Sequence, residues 1–385
     1  MPLRDPHQRP SVVPVAGTRV VVALSGGVDS AVAALLLKEN GYDVQGLFMS
    51  NWEEDESGYC TSAADFQDAR RVCDVLEIPL HRVSFAREYR DRVFACFLRE
   101  YQAGRTPNPD VLCNREIKFG ACFEYARRLG ADLFATGHYA RIERRGADLR
   151  LCKASDSSKD QSYFLHGIDP VVFDRTLFPL GGMQKLDVRR RARAAALPVF
   201  DKKDSTGICF IGERPFREFL ATYLPARPGI IESSDGAALG EHQGLMYYTL
   251  GQRHGLAIGG RAERPESAWY VAGKDLQRNV LIVVQGHDHP ALLTGGLRTE
   301  AVHWLAPPAA HFRCTVKTRY RQADQACEVE LCGESASVRF DAPQRAVTPG
   351  QFAVLYDGEV CLGGGVIAST EPAARATAGP LARAG

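Results

Sequence analysis

The strongest chemical pattern in the chain is a glycine-rich segment, SGGVDS at residues 25–30, between a predicted strand and a predicted helix. Gly26 and Gly27 allow the backbone to turn sharply without Cβ clashes. The N–H groups at the start of the following helix, together with the helix dipole, then form a site for a phosphate anion. A Walker-type loop would carry a Lys after its last glycine, and none is present here. The segment therefore predicts a phosphate-binding loop of another class.

A second pattern, NPDVLCNREIKF at residues 108–119, holds a cysteine close to an acid. Asn114 is expected to cap the helix that follows. Cys113 would then lie at a helix N-terminus, where the dipole and the neighbouring Arg115 and Lys118 favour the thiolate. Asp110 is near enough in sequence to act as an acid or a base. A single Cys is more often a small buried apolar residue, so on its own this segment leaves both interpretations open.

A third pattern, DSTGICFIGE at residues 204–213, places Cys209 after a flexible Ser-Thr-Gly turn. Lys202 and Lys203 precede this turn and could stabilise a thiolate. Taken alone, this pattern is weak evidence for catalysis.

The elements that must position these residues alternate in type over the first two hundred residues. Strands are predicted at 19–24, 44–49, 80–85 and 132–136, and helices at 31–40, 62–77, 86–101 and 117–129. Alternation of this kind predicts an α/β fold, a doubly wound and mostly parallel sheet with helices on both faces.

The pattern changes near residue 210, where the chain becomes rich in Gly and Pro, and changes again near residue 290. Five short strands, typical of a small antiparallel β-barrel, are then predicted at 313–321, 325–331, 337–340, 351–356 and 360–367. We therefore expect a disordered tail at 1–17, a catalytic domain at 18–210, a central domain at 211–287, a β-barrel at 288–370 and a disordered tail at 371–385.

Composition limits the classes of function. The 385 residues include 47 Lys and Arg against 46 Asp and Glu, which excludes binding to nucleic acid by bulk charge but allows a local basic face. No apolar run approaches the roughly 20 residues of a membrane-spanning helix, so we expect a cytoplasmic protein without a membrane partner. The eleven cysteines include no CxxC pair, which argues against a zinc ribbon or iron–sulfur ligation, and no metal-ligating cluster is predicted.

Together, the three segments closely resemble those of the tRNA-specific 2-thiouridylases. These enzymes belong to the PP-loop ATP-pyrophosphatases, whose SGGxDS loop binds pyrophosphate. The resemblance spans roughly residues 18–368. It continues in the family's order at GLFMSNWEED (46–55), ATGHYAR (135–141), KDQSY (159–163), YTLGQRHG (248–255), KTRY (317–320) and PGQF (349–352). A Pro-rich N-terminal tail and an Ala-rich C-terminal tail depart from the family pattern, and neither contains a motif.

The resemblance implies that ATP adenylates the 2-oxygen of the wobble uridine and that sulfur then displaces AMP. Adenylation turns an unreactive carbonyl oxygen into a leaving group whose charge resides on a phosphate. By family correspondence, ATP is bound by Ala23, Leu24, Ser25, Gly26, Gly27, Val28, Asp29, Ser30, Met49 and Gly137. Asp29 could also help to hold Mg²⁺, which prefers carboxylate and phosphate oxygens.

The resemblance assigns catalysis to two cysteines and one acid. Cys209 would carry the incoming sulfur as a persulfide, received from a sulfur-relay donor protein. Cys113 would free that sulfur as a nucleophile, or would form a disulfide with Cys209 as the sulfur leaves. Asp110 would act as an acid or base beside the target base. Two thiols are needed because a persulfide gives up its outer sulfur only when the S–S bond breaks and electrons are supplied.

The implied partner is tRNA, through the anticodon stem-loop that carries the wobble uridine. The implied tRNA contacts are Asn108, Pro109, Asp110, His138, Lys159, Asp160, Gln161, Arg319, Tyr320 and Gln351. A strand predicted over residues 312–321 would place basic side chains from Arg313 to Arg321 on one face, suited to phosphates. The run RRRAR at residues 189–193 is interpreted as a solvated helix face.

Two other functions are compatible with parts of the sequence. A PP-loop ligase acting on a small molecule, similar to argininosuccinate or GMP synthetases, explains the loop and the sheet but gives no purpose to Cys113, Cys209 and the basic strand. An RNA-binding protein with a vestigial nucleotide site is disfavoured by the intact loop and by both cysteines. The three functions differ in whether pyrophosphate release from ATP depends on tRNA.

Overall fold

The structure, a computed structural model, describes residues 17–52, 62–146, 148–204, 216–258, 267–306 and 308–373. Its strands are β1 Arg19–Leu24, β2 Asp43–Ser50, β3 Leu80–Ser84, β4 Leu133–Thr136, β5 Arg141–Arg145, β6 Asp148–Cys152, β7 Thr176–Leu177, β8 Gly229–Ser233, β9 Ala238–His242, β10 Trp269–Asp275, β11 Val280–Gln285, β12 Leu293–Trp304, β13 His311–Lys317, β14 Gln325–Cys332, β15 Ser335–Arg345, β16 Phe352–Asp357 and β17 Val360–Pro372. Its helices are Val28–Glu39, Ser62–Leu76, 86–102, 109–128, Ser162–Leu165, Pro170–Phe173, Lys185–Ala194 and Phe216–Ala221, with 3₁₀ turns at Leu245–Tyr247 and Pro290–Leu292. Among these described helices, none is long and apolar enough to cross a membrane.

The N-terminal sheet has five parallel strands in the order β3-β2-β1-β4-β7. Its central strand β1 is apolar from Val20 to Leu24, because both of its faces are covered there. Val20 and Val22 pack into one core, whereas Val21 packs into the other. The predicted doubly wound α/β fold is confirmed.

The carboxyl ends of β1, β2 and β4 meet at one edge of this sheet. Leu24 pairs with Phe48, and Ala23 pairs with Thr136. The loop after β4 touches the helix that follows β1, since a Cβ added to Gly137 would lie 2.6 Å from the backbone nitrogen of Ser30. The strand order changes direction between β1 and β4, and parallel α/β sheets bind ligands in the crevice at such a point.

The helix that contains Cys113 differs from its prediction. It begins at Pro109 instead of residue 117, and its middle segment, Cys113–Cys122, is a π-helix. Asn108 caps it by accepting a hydrogen bond from the backbone N–H of Asp110 (3.2 Å). The prediction that Asn114 is the cap was wrong, because Asn114 lies inside the helix. π-Helical segments are rare in proteins, and those that do occur are often part of functional sites.

The central unit is a four-stranded sheet in the order β10-β11-β8-β9, in which only β8 and β11 pair in parallel. The C-terminal unit is a closed antiparallel barrel, β12-β15-β14-β13-β16-β17, completed by pairing of β12 with β17. The barrel was predicted, but with five strands instead of six. Strand β12 was missed because Gly295 and Gly296 interrupt its alternating pattern.

A hairpin of the N-terminal unit extends the sheet of the barrel. Strands β5 and β6 pair with each other, and β6 meets β17 where Cys152 pairs with Val360. The ion pairs Arg141–Glu359 and Lys153–Asp324 reinforce this junction. The N-terminal unit and the barrel therefore share one hydrogen-bonded sheet.

Candidate active site

The loop after β1 is held in its shape by its own side chains and by close contact with a neighbouring helix. Gly26 adopts φ +73°, and an added Cβ would lie 2.3 Å from the carbonyl oxygen of Asp65, so only glycine fits. The Ser30 hydroxyl donates to the carbonyl of Gly27 (3.1 Å) and accepts from the backbone N–H of Ser25 (3.2 Å). The helix then begins at Val28. This is the geometry of an anion site at a helix N-terminus.

Asp29, in the first turn of this helix, is bound by two residues that were not predicted as site residues. The Lys185 ammonium lies 2.7 and 2.8 Å from its two carboxylate oxygens, and the Tyr139 hydroxyl donates to one of them (2.8 Å). On the other side of the loop, the Lys202 ammonium donates to the carbonyl of Gly26 (3.1 Å). Two lysines thus contact the loop, and each is also paired with aspartates: Lys185 with Asp29 and Asp204, and Lys202 with Asp65 and Asp68.

Asp204 connects this loop with the segment that contains Lys159. Its carboxylate pairs with Lys159, Lys185 and Arg189, each at 2.8 Å. Burial opposes ionisation of Asp204, but hydrogen bonds from Lys159 and Lys185 outweigh it and hold its pKa well below the usual range. Arg189, interpreted from the sequence as part of a solvated face, takes part in this network. Lys185 bridges Asp29 and Asp204, so the carboxylates of the site are already neutralised by cations.

A resident metal ion does not fit these residues. The described part of the chain contains no group of three His, Cys, Asp or Glu side chains able to hold one. Both oxygens of Asp29 face Lys185, which would have to move before Asp29 could bind Mg²⁺. Lys202 pairs with Asp65 and Asp68. Its expected influence on Cys209 stays a prediction, because Cys209 lies outside the described residues.

Cys113 and Asp110 lie in the first turns of helix 109–128, close to the sheet edge. Cys113 is buried, and its sulfur lies 4.0 Å from the side-chain nitrogen of Asn51, the residue that follows β2. Burial raises the pKa of Asp110, an effect that the charge of Lys118 partly opposes. A carboxyl group with a raised pKa is suited to proton transfer near neutral pH.

The residues predicted from ATGHYAR and KDQSY lie next to the loop. His138 is buried, its Nδ1 lies 2.7 Å from the Thr136 hydroxyl, and burial and Lys118 lower its pKa well below the usual value. The imidazole is therefore neutral at neutral pH. Gln161 accepts from the backbone N–H of Tyr139 (3.0 Å), and so supports the ring that contacts Asp29. Asp160 is buried and accepts hydrogen bonds from the backbone N–H groups of Ala154 and Ser162.

The three residues predicted from the barrel lie at junctions between the units. Gln351 donates to the carbonyls of Thr106 (2.8 Å) and Pro107 (3.3 Å), just before Asn108 and Pro109. Arg319 donates to the carbonyl of Leu250 (3.2 Å) in the central unit and to that of Ala346 (2.6 Å) in the barrel. The Tyr320 ring packs against the ring of Phe164, with 4.4 Å between the two ring centres. Contact of these residues with tRNA stays a prediction.

The predicted basic strand face is only partly present. Strand β13 ends at Lys317, so Arg319 and Arg321 do not continue its alternation. Lys317 is largely buried and lies 3.7 Å from Asp160 and 3.6 Å from Asp324. Arg321 is exposed, with its guanidinium 5.3 Å from the centre of the Tyr320 ring. The prediction of a continuous basic row from 313 to 321 was wrong, because a turn follows Lys317.

Cys209 and the STGIC motif lie outside the described residues. The remaining nucleotide positions, Met49 on β2 and Ala23 and Leu24 on β1, lie at the same sheet edge as the loop. The structure thus brings the predicted anion loop, Cys113, Asp110 and His138 to one region.

The comparisons with known proteins agree on one family. Residues 18–213 match the tRNA methyl transferase HUP domain, residues 217–285 the tRNA methyl transferase PRC-barrel domain, and residues 294–367 the aminomethyltransferase beta-barrel domain. The chain is 59% identical over 356 residues to the tRNA-specific 2-thiouridylase MnmA of Chromohalobacter salexigens, covering 91% of this chain and 93% of that protein. It is 58% identical over 361 residues to the MnmA of Marinobacter nauticus, covering 92% of each chain. The chain belongs to the tRNA-specific 2-thiouridylase family.

Proposed function

We propose that this protein is an ATP-dependent tRNA-uridine 2-sulfurtransferase. It adenylates the 2-oxygen of the wobble uridine and replaces that oxygen with sulfur from a cysteine persulfide. The observation that carries this proposal is the meeting of two sites at one sheet edge. The anion loop follows β1, and Asn51, which follows the adjacent β2, lies 4.0 Å from Cys113. An activating nucleotide and a thiol are therefore near each other.

ATP binding is supported by the geometry of the loop. The helix N-terminus at Val28 would provide backbone N–H groups for the β- and γ-phosphates, and the ammonium groups of Lys185 and Lys202, each paired with aspartates, lie beside the loop. Mg²⁺ would enter with ATP, bound mainly by phosphate oxygens and water, because Asp29 is engaged by Lys185. When present, Mg²⁺ would neutralise charge on the phosphates. The backbone amides at the start of the helix would perform the same task on the protein side.

Sulfur transfer requires two electrons, and two thiols supply them. The terminal sulfur of a persulfide on Cys209 attacks C2 of the adenylated uridine, and AMP departs with the former 2-oxygen. The Cys113 thiolate attacks the inner sulfur of Cys209, which breaks the persulfide bond and forms a Cys113–Cys209 disulfide. The transferred sulfur is thereby reduced to the level of a thiocarbonyl, and an external thiol later reduces the disulfide. A persulfide donor protein would recharge Cys209.

Asp110 and His138 are suited to handling the uracil ring. Adenylation at the 2-oxygen requires loss of the N3 proton, and a buried carboxyl with a raised pKa can accept and return a proton. A neutral His138 can donate or accept a hydrogen bond without attracting the phosphate away from the loop, as an imidazolium would. Both are therefore proposed to face the target base. Lys159, Gln161, Arg319, Tyr320 and Gln351 would contact the surrounding tRNA.

The domain descriptions mention methyl transfer, but the residues favour sulfur transfer. A methyl transferase has no need of a pyrophosphate-binding loop, and the closely similar relatives are named as thiouridylases. A small-molecule PP-loop ligase would leave the buried Cys113 and its helix without a purpose.

Isotopically labelled persulfide sulfur tests the roles of the two thiols. Cys209→Ser should still release pyrophosphate with ATP and tRNA, yet retain no label and form no 2-thiouridine. Cys113→Ser should accept the label, which a reductant then removes, but should not complete the transfer. Cys332→Ser, at an exposed barrel cysteine, is the matched control and should behave as wild type. Label retained by Cys209→Ser and lost by Cys113→Ser would mean that the carrier and resolving roles are reversed. 2-Thiouridine formation by both variants would exclude the two-thiol mechanism.

A further inference from the structure

Asn51 is a buried polar residue to which neither the sequence nor the proposed mechanism gives a role. It follows β2 directly and is 8% exposed. Its neighbour Trp52 is fixed by aromatic packing, with ring centres 5.0 Å from Phe94 and 6.4 Å from Tyr89. The aromatic contacts of Trp52 therefore hold the backbone of Asn51 in place beside helix 109–128.

The polar contacts of the Asn51 side chain are unusual for a buried amide. Its nitrogen lies 4.0 Å from the Cys113 sulfur, the one side-chain hydrogen bond that it makes to described residues. Its oxygen is fully enclosed and has no hydrogen-bond partner in the described ranges. A buried acceptor without a partner destabilises a fold, and an apolar side chain of similar volume would avoid that penalty. Packing therefore does not explain the choice of Asn at this position.

We propose that Asn51 is a positioning residue for Cys113: its amide N–H points at the sulfur and stabilises the thiolate that attacks the persulfide. This inference rests on the proposed function, in which Cys113 must react as a thiolate. An N–H donor lowers the free energy of a negatively charged sulfur more than that of the neutral thiol. Asn51 also follows the strand that carries Met49, so it connects the nucleotide edge with the thiol.

The chain provides a matched control in Asn114, the neighbour of Cys113. Asn114 is 3% exposed, and its side-chain oxygen also lacks a partner among the described residues. Its amide nitrogen, however, donates to the backbone carbonyl of Phe164 (3.4 Å) and not to the sulfur. Asn51→Leu and Asn114→Leu are thus the same chemical change at equally buried sites, and only the first removes a donor to Cys113.

The test is the pH dependence of Cys113 alkylation by iodoacetamide in the full-length protein, read by peptide mass spectrometry. Asn51→Leu should raise the pH midpoint by about one unit, which is roughly a tenfold slower reaction below the midpoint. Asn114→Leu should leave the midpoint unchanged. Asn51→Ser, which restores a small donor, should recover part of the shift and serves as the second variant if the leucine variant fails to fold. Circular dichroism checks the fold of each variant.

An unchanged midpoint in Asn51→Leu, or equal shifts in both leucine variants, would overturn the proposal. Alkylation needs neither ATP nor tRNA, so the pH midpoint can be measured and interpreted whether or not the proposed function is correct. A shifted midpoint in a protein that forms no 2-thiouridine would uphold the contact between Asn51 and the thiolate while rejecting thiolation. Normal 2-thiouridine formation with an unshifted midpoint would uphold thiolation while rejecting the contact between Asn51 and the thiolate.

Discussion

Asp29 and Asp110 are the two carboxylates on which the proposed chemistry depends, and their surroundings differ. Asp29 is paired with Lys185 and accepts a hydrogen bond from Tyr139. Asp110 has no ion pair within the described residues, and burial raises its pKa. Environments that differ in this way separate the roles of two acids in one site. Asp29 is engaged by a cation beside the anion loop, whereas Asp110 is suited to proton exchange.

Asp110→Asn should reduce thiolation by about 10²–10⁴-fold while raising stability at neutral pH. Because the pKa of Asp110 is raised in the folded state, its stabilising contribution is present at low pH and is lost as the pH rises through that pKa. Ionisation of Asp110 therefore costs more in the folded protein than in the unfolded chain, a cost that the amide variant lacks. Thermal unfolding at pH 4 and pH 7 should show a larger gain for the variant at pH 7. Asp91→Asn, at an exposed carboxylate, is the control, and a gain that does not depend on pH would contradict the assignment.

Asp29→Asn should lower tRNA-dependent AMP formation by on the order of 10²–10³-fold and leave tRNA affinity largely intact. The fold should survive, because Lys185 keeps its ion pair with Asp204. The matched control is Asp43→Asn. Asp43 is the first residue of β2, away from the loop, and forms an exposed ion pair with Arg19. AMP formation at the wild-type rate in the Asp29 variant would show that the anion loop is misassigned.

At this scale the sequence predicts residues that lie in local motifs and misses those that arrive from elsewhere in the fold. The loop around Asp29, and Asp110 beside Cys113, follow from short patterns. Lys185 reaches the loop from far along the chain, and Asn51 reaches Cys113 from the end of another strand. Contacts of this kind depend on sheet order and helix packing, which no local spacing specifies.

At the scale of elements, strand–helix alternation was sufficient to predict the parallel sheet, and the barrel was less predictable. The central strands β1 and β4 are buried on both faces and form short, mostly apolar runs. Hairpin β5–β6 was not predicted, because its sequence is dominated by charged residues that its edge position exposes. The π-helix Cys113–Cys122 has no sequence signature among the patterns considered, so the start of its helix was misplaced.

The end of β13 gives a prediction about tRNA binding. Arg321→Ala should reduce the slope of log affinity against log salt by about 0.7–0.9, the effect of one lost phosphate contact. Lys317→Ala should leave this slope unchanged, because its ammonium faces Asp160 and Asp324. It should instead lower stability by roughly 1–3 kcal/mol, as expected for a broken buried ion network. A reduced slope for Lys317→Ala and none for Arg321→Ala would mean that the structure has been misread here.

At the scale of the whole molecule, three units converge on the loop that precedes the helix of Cys113. The central unit contributes Lys274, which donates to the carbonyl of Gly104 (2.9 Å). The barrel contributes Gln351 and the carbonyl of Pro349, which accepts from the backbone N–H of Thr106 (3.0 Å). The loop is thus fixed from two sides, and with it the start of helix 109–128. We therefore expect the barrel to influence catalysis through this loop, without touching the reacting atoms.

Two glycine substitutions test this influence. Gly350 and Gly358 both have positive φ, +91° and +58°, so Ala should cost each roughly 1–2 kcal/mol in backbone strain. An added Cβ at Gly350 would also lie 2.9 Å from the backbone nitrogen of Thr106, whereas at Gly358 it would meet nothing within 4 Å. Gly350→Ala should therefore slow thiolation by on the order of 10–100-fold, and Gly358→Ala should not. Hydrogen exchange should increase at residues 103–112 in the Gly350 variant alone. Equal rates in the two variants would contradict a role for the docked loop.

The central claim is that ATP activation at the loop and sulfur transfer at Cys113 serve one reaction on tRNA. It is tested most directly by measuring pyrophosphate and 2-thiouridine in the same reaction, with ATP and a persulfide donor, in the presence and absence of unmodified tRNA. We predict that pyrophosphate release depends on tRNA and that each 2-thiouridine is accompanied by one pyrophosphate. Pyrophosphate release that is indifferent to tRNA, or tRNA-dependent release without 2-thiouridine, would contradict the account.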